Sequence, residues 1–392
     1  MSQVLQIVFW LMVAVVLFTY LLFPAIVFVR GRLLGRSYKS AEITPTISMI
    51  IAAHNEVASI GAKLDNILSL DYPRDKLEVL IASDGSNDGT NDIVRKYADH
   101  NVTLLALPRQ GKAPALNAAV AASHSEVLVF SDANSMYHAG SLRALVRPFA
   151  DSEVGGVAGN QVYLSKQANA LSGDGEQTYW DFDRKLKQSQ SKSGNAISAT
   201  GAIYAIRRSL FRGVPVGVTD DFAVSTDVIA QGYRLVFAPD AIAYEPVAGT
   251  GGIEFGRKVR VITRGLRGVL VVRRDLLNPF RFGFYAFQLF FHKVMRRLVV
   301  IPLVLMLLVG PLLWNHGIVY QLATIAQLIF YGCALLGLLM SHTRVGRMKP
   351  LMIPFFFCMV NVACLLATIN LIRGHRIDFW EPQRTDAGSP IS

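Results

Sequence analysis

The run LQIVFWLMVAVVLFTYLLFPAIVFV, Leu5 to Val29, carries no charged side chain. It is long enough to cross a hydrocarbon layer of roughly 30 Å as a helix. No water-soluble core of ordinary size absorbs such a segment, so it dictates a membrane-attached architecture before anything else is read. A signal peptide is the alternative. Against it, no basic residue precedes the run, no small-residue cleavage pattern follows it, and the run exceeds the usual apolar region of roughly 7–15 residues. Two further spans are expected at about Gly317 to Met340 and Leu351 to Ile372, with a shorter one at about Leu298 to Trp314, making four. Arg30, Arg32, Arg36 and Lys39 follow the first span directly, which places the next domain on the cytoplasmic side. The basic loop from Arg344 to Lys349 fits the same side. By that count the C-terminal tail lies outside, where Arg373, Arg376 and Arg384 conflict with the rule unless one span is interfacial.

Between about Thr46 and Arg274 the chain changes character. Ile47–Ala53, Leu77–Ser83, Val102–Leu107 and Glu126–Asp132 are apolar runs suited to buried strands. Ser59–Leu70, Asn91–His100 and Lys112–Ser123 carry helical periodicity between them. This alternation predicts an α/β domain built on a mostly parallel sheet. Ligands of such sheets sit beyond the carboxyl ends of the strands. Three of the runs end there in polar residues: His54-Asn55-Glu56, Asp84-Gly85-Ser86-Asn87-Asp88-Gly89 and Asp132-Ala133-Asn134. From Asn278 to Leu298, aromatics mix with Arg281, His292, Lys293, Arg296 and Arg297, the pattern of an amphipathic interfacial helix. The expected organisation is a first span over 1–30, a catalytic domain over 31–275, an interfacial helix over 276–297, further spans over 298–375 and a polar tail over 376–392.

The formal charge of +11 and a pI near 9.6 call for anionic partners. Beside membrane spans, lipid head groups and a phosphate-bearing substrate fit better than nucleic acid. Cys333, Cys358 and Cys364 all fall in apolar spans and read as packing residues without a disulfide framework. Lys112 follows Gly111 at an expected helix start, where an anion is favoured, so it is either a diphosphate contact or a solvated lysine. The Asp84 segment consists of turn formers, and on its own it reads as turn chemistry as readily as a ligand contact. Thr219-Asp220-Asp221 offers a carboxylate for proton abstraction. Thr219 or Asp220 could equally cap the helix that follows. Arg257, Arg260, Arg264 and Arg267 are spaced 3, 4 and 3, one face of a helix able to hold a pyrophosphate or lie on anionic lipid. His54 reads as a loop residue, and no His/Cys cluster has zinc spacing.

IIAAHNE, EVLIASDGSNDGT, GKAPALN, VFSDAN, ATGAIYAIRR and TDDFAVSTDVIAQGYRLVFAPDA occur in that order. Together they resemble the successive motifs of family 2 glycosyltransferases. The closest likeness is to the membrane-embedded branch that includes hyaluronan, chitin, cellulose and poly-N-acetylglucosamine synthases. The resemblance covers about Ile47 to Leu270. It implies a GT-A (Rossmann-like) nucleotide-sugar domain inserted between transmembrane helices, in a bacterial inner membrane with the catalytic side cytoplasmic. It implies inverting transfer from a nucleoside-diphosphate donor, UDP-linked, to a glycan acceptor in envelope or exopolysaccharide synthesis. Transfer of a single sugar to a lipid acceptor is the alternative. By resemblance Ala53, Asn55, Glu56, Asp84, Lys112 and Asp132 meet the nucleotide. Asp221 is the base, with Asp220 supporting it. Gly201 presents backbone to the acceptor, and Trp180 is either an aromatic platform for it or a core anchor. The family's Asp-x-Asp metal motif reads Asp132-Ala133-Asn134 here. Mg²⁺ or Mn²⁺ is therefore expected on Asp132 and the donor phosphates, with Asn134 as helper or ribose contact. The Gln-x-x-Arg-Trp motif of processive synthases becomes Arg257-Lys258-Val259-Arg260-Val261. Arg257 and Arg260, with Arg264, are expected at the diphosphate, and the missing Trp argues against processive synthesis.

Overall fold

The computed structural model describes residues 2–164, 173–246, 251–343, 345–346 and 348–375. Among them one sheet of eight strands forms the core of the α/β domain: β1 Ile47–Ala53, β2 Leu77–Asp84, β3 Val102–Leu107, β4 Val127–Phe130, β5 Met136–Tyr137, β6 Val154–Leu164, β7 Tyr204–Arg207 and β8 Arg234–Pro246. Their order is β3-β2-β1-β4-β7-β6-β8-β5. The first four are mutually parallel, β7 runs against β4 and β6, and β5 runs against β8. The sheet is thus mostly parallel, as the alternation predicts, with two short strands reversed.

All seven residues of β1 are buried, because helices cover both faces of the sheet. Ile47, Met49, Ile51 and Ala53 pack with Ile60, Leu64 and Ile67 of the helix Ile60–Leu68. Ile50 and Ala52 point to the other face, toward Ala115, Leu116 and Ala119 of the helix Lys112–Ala122 and Phe222 of the helix Asp220–Ala230. This period-2 split brings the amino ends of the last two helices to one sheet edge, where β2 and β4 also end.

Among the described residues, three helices are long and apolar enough to cross a membrane: Ser2–Leu33, Ile318–Leu339 and Lys349–Ile372. The segments expected as an interfacial helix and a separate short span form a continuous pair instead, Phe284–Leu298 and Val300–Leu312, bent by 47°. Val300–Leu312 has only 13 residues. That is a rise of about 20 Å, too short to cross alone. The count is therefore three spans, or four if the bent pair is one. Phe9 of the first helix packs with Val309, Leu313 and Tyr320. At its other end Phe23 and Val27 pack on Leu186 of the helix Gly173–Lys192, tying the membrane part to the α/β domain.

Candidate active site

The loop after β1 is laced to the loop after β2. Asn55 has φ +54, and its Oδ1 accepts from the Asn87 N–H at 2.9 Å. Its own N–H donates to Ser86 Oγ at 3.0 Å, and the Glu56 N–H donates to Thr90 Oγ1 at 2.8 Å. His54 Nδ1 lies 2.7 Å from the Asp84 carbonyl, a loop contact. Ala53 is fully buried beneath this loop. Asp84 itself is only 1% exposed. Its carboxylate accepts from Arg109 Nη1 at 2.8 Å, from the Gln110 N–H at 2.7 Å and from the Gly111 N–H at 3.0 Å. Asp84 therefore secures the 109–111 segment, and a base reaching it has to displace Arg109.

That segment leads directly into Lys112, the first residue of its helix. Lys112 is not a solvated lysine: its side chain is 13% exposed and lies between two carboxylates. Nζ is 2.8 Å from Asp132 Oδ1 and 3.2 Å from Asp220 Oδ2. Burial pulls its pKa down, but the two carboxylates outweigh this and hold the ammonium above the ordinary lysine value. Gly201 faces the same carboxylate, and a Cβ there would lie 2.9 Å from Asp132 Oδ2. The missing side chain leaves a cradle beside a hard oxygen donor. Asn134 is exposed two residues further on.

Asp221 lies beside Asp220 in the first turn of the helix Asp220–Ala230. Burial and the neighbouring Asp220 push its carboxyl above the ordinary aspartate range, with Lys293 and Lys112 opposing. Its Oδ1 accepts from the Phe222 N–H at 2.8 Å. Thr219 occupies the N-cap position but makes no side-chain capping bond. Arg264 donates to the Val218 carbonyl and so anchors the approach to this acidic pair. Arg257 is near enough to Glu245 to favour its charged form, and both Arg257 and Arg260 are half-buried on the helix Gly251–Arg267. Val261, where processive synthases carry Trp, is 43% exposed. Trp180 falls on the helix Gly173–Lys192, but its side chain lies outside the described residues, as does the tail from 376.

Lys63 and Glu245 belong to the same neighbourhood and are not among the residues expected from sequence. Lys63 is fully buried, and burial pulls its pKa down to about 7 although Asp132 and Glu245 oppose this. Glu245 accepts from Ser135 Oγ at 2.5 Å and from Gln161. Burial and Asp132 raise its pKa against those bonds and Arg257. A signal for Lys63 exists in the sequence. Ile60, Lys63, Leu64 and Ile67 share the apolar phase of one helix, so a lysine stands where packing calls for a hydrocarbon.

A carboxylate edge, a lysine-led helix and an acidic pair thus come together beside a mixed α/β sheet with a GT-A-like fold. Residues 48–214 match the model of Glycosyl transferase family 2. Over that stretch the chain resembles family 2 glycosyltransferases. It is 27% identical over 273 residues to a probable glycosyltransferase of Bacillus subtilis (strain 168), covering 64% of each chain. It is 27% identical over 223 residues to the poly-beta-1,6-N-acetyl-D-glucosamine synthase of Staphylococcus aureus (strain COL), covering 55% of this chain and 53% of that one. The chain thus spans between half and two-thirds of the length of these relatives. A solved mannosyltransferase from Pyrobaculum calidifontis, in complex with GDP-Man and Mn²⁺, superposes with a TM-score of 0.71 at 25% identity. That match covers 94% of this chain and 99% of the other.

Proposed function

We propose that this chain transfers a sugar with inversion from a nucleoside-diphosphate donor to a glycan acceptor in envelope or exopolysaccharide synthesis. The carrying observation is the cation between two acids, Asp132–Lys112–Asp220, with Asp221 next in line at the same edge. Asp221 accepts the proton of the acceptor hydroxyl as its oxygen bonds to the anomeric carbon and the bond to the diphosphate breaks. Lys112, pivoting from the carboxylates, meets the departing phosphates together with Arg257 and Arg260. Asp84 and the Asn55–Glu56 loop receive the nucleoside. Gly201 presents backbone to the acceptor beside Asp132, and Trp180 is the proposed platform for the sugar next to it.

Asp132 and Asn134 would hold Mg²⁺ or Mn²⁺, a hard ion suited to oxygen donors, with the cradle left by Gly201 beside them. Among the described residues no group of three or more His, Cys, Asp or Glu is placed to hold a metal. An ion there would be shared with the donor's phosphates. When bound, it would neutralise charge on the leaving diphosphate. The catalytic domain, proposed over 31–275, then lies at the cytoplasmic face of a bacterial inner membrane, with basic Arg30, Arg32 and Arg36 at that face.

UDP is the proposed nucleotide. GDP-mannose is the second reading, because the mannosyltransferase matched along nearly the whole chain was solved with it. A lipid acceptor is the second reading for the other substrate, favoured by Val261 in place of Trp. A panel of UDP- and GDP-sugars incubated with membranes containing the protein tests both. Release of UDP from one donor and a saccharide-mass product support the proposal. Release of GDP alone, or a product the mass of a lipid plus one sugar, replaces it with the second reading.

A further inference from the structure

The segment from Ser131 to Ser135, between β4 and β5, carries the carboxylate and amide proposed to hold the metal and has no regular structure. Its backbone closes a tight turn, with the Ser135 N–H donating to the Asp132 carbonyl at 3.3 Å. The helix Ile60–Leu68 grips this turn from beneath with two side chains three residues apart. Lys63 Nζ donates to Ser131 Oγ at 2.8 Å and also to the Ser135 carbonyl, so one nitrogen bridges both ends of the turn. It lies 4.1 Å from the centroid of the Tyr137 ring. Asn66 takes both backbone groups of Tyr137: Nδ2 donates to its carbonyl at 2.9 Å, and Oδ1 accepts from its N–H at 2.7 Å. Ser131 Oγ in turn donates to the Ala202 carbonyl at 3.2 Å, reaching the segment that contains Gly201.

Lys63 is 0% exposed, and so are Ile60 and Leu64 beside it on the helix. Taking a lysine out of water costs several kcal/mol unless its nitrogen is well used. A methionine would fill the same slot at no such cost. Packing therefore gives no reason for lysine at this position, whereas the bridge to Ser131 and Ser135 does. Both the ammonium and the neutral amine have N–H groups for these two acceptors, so the grip does not depend on protonation state.

We propose that Lys63 is a positioning residue for metal-dependent donor binding. It fixes the Asp132–Asn134 turn from the opposite face of the sheet, acting through Ser131 and Ser135. The proposal rests on Asp132 as the metal carboxylate, and the test separates the two. Full-length protein in detergent is titrated with Mn²⁺ in the presence of UDP or GDP, and bound metal is read from loss of the free-ion electron paramagnetic resonance signal. Lys63→Met is expected to weaken Mn²⁺ binding by about tenfold or more while melting no lower than wild type. Ser131→Ala should shift the titration in the same direction by less, and the double variant should match Lys63→Met alone, as expected for one shared path. Asp132→Asn is the control. If it binds Mn²⁺ like wild type, the metal assignment fails. If Asp132→Asn weakens binding but Lys63→Met and Ser131→Ala both overlay wild type, the positioning role is wrong. Should Lys63→Met fail to fold, Ser131→Ala decides alone: an unshifted titration overturns the proposal.

Discussion

Lys112→Met gives the sharpest test of the acidic site. The ammonium sits 2.8 Å from Asp132 Oδ1 and 3.2 Å from Asp220 Oδ2, with Lys112 and Asp220 only 13% and 12% exposed. At such separations the Coulomb attraction of each ion pair is roughly 5–6 kcal/mol at an effective dielectric near 20, before the cost of desolvation. Asp132 is 32% exposed, so solvent screens its half of the interaction. The remaining loss is on the order of 3 kcal/mol, the low end of what removing one partner of a buried pair costs. Because the folded-state pKa of Lys112 is raised, this stabilisation is fully present below the unfolded lysine value near 10.4, and it is lost only as pH rises through the folded one. An assay at pH 7 therefore reads all of it. Thermal unfolding of the detergent-solubilised variant should fall by about 6–12 °C, at roughly 2–4 °C per kcal/mol for a domain of this size. Added Mn²⁺ should recover more of the loss in the variant than it adds to wild type, since two carboxylates are left without their cation. A variant melting within about 1 °C of wild type, with the same response to Mn²⁺, would refute the reasoning.

Asp221→Asn should lower transfer by roughly 10²–10⁴-fold, the usual contribution of a general base, while nucleotide binding measured by calorimetry persists. A turnover near that of wild type would remove Asp221 from the base role. Since burial and Asp220 raise its pKa, the folded state binds that proton more tightly than the unfolded chain. Any stability from protonated Asp221 is then lost as pH rises, and the Asn variant should melt higher than wild type at pH 7. By the same shift, the acid limb of the pH–rate profile should lie above the ordinary aspartate value of 3.8, and a limb at or below it would contradict the assignment. Gly201→Ala puts a carbon 2.9 Å from Asp132 Oδ2 and should weaken Mn²⁺ binding about tenfold in the presence of nucleotide, with the melting temperature nearly unchanged. An unshifted Mn²⁺ titration would place the metal elsewhere.

The strands legible in the sequence are those where burial on both faces writes an unbroken apolar run. β1 and β3 follow their expected limits, and β2 gains only Asp84. β6 escaped because its sequence, VGGVAGNQVYL, is glycine-rich and reads as a loop. Its Gly155 is required by packing, since a Cβ there would fall 2.6 Å from Leu210 and Tyr233 side-chain atoms. β5 and β7 are two and four residues long, and only their tertiary partners make them strands. The acids at the strand ends were legible because a carboxylate closing an apolar run is conspicuous. Their partners were less so: Arg109 meets Asp84 through a close approach to Gly85, which no spacing encodes.

The two lysines around Asp132 show why such a site resists reading by motif alone. Lys112 comes from a helix on one face of the sheet and binds the carboxylate directly, while Lys63 comes from the other face and holds the turn beneath it. Each lysine sits in its own local pattern, and only the sheet between them makes them neighbours. Their arrangement has a consequence for order of binding. Asp132 already has a cation 2.8 Å from its Oδ1, so a divalent ion arriving alone at this carboxylate meets the repulsion of Lys112. A donor diphosphate arriving with the ion removes this conflict, because it gives the ammonium new oxygens to bind. Metal and nucleotide should therefore bind cooperatively in the wild type. Lys112→Met should weaken that coupling, leaving only the part carried by an ion shared with the donor's phosphates, which the same metal titration reads when run with and without nucleotide.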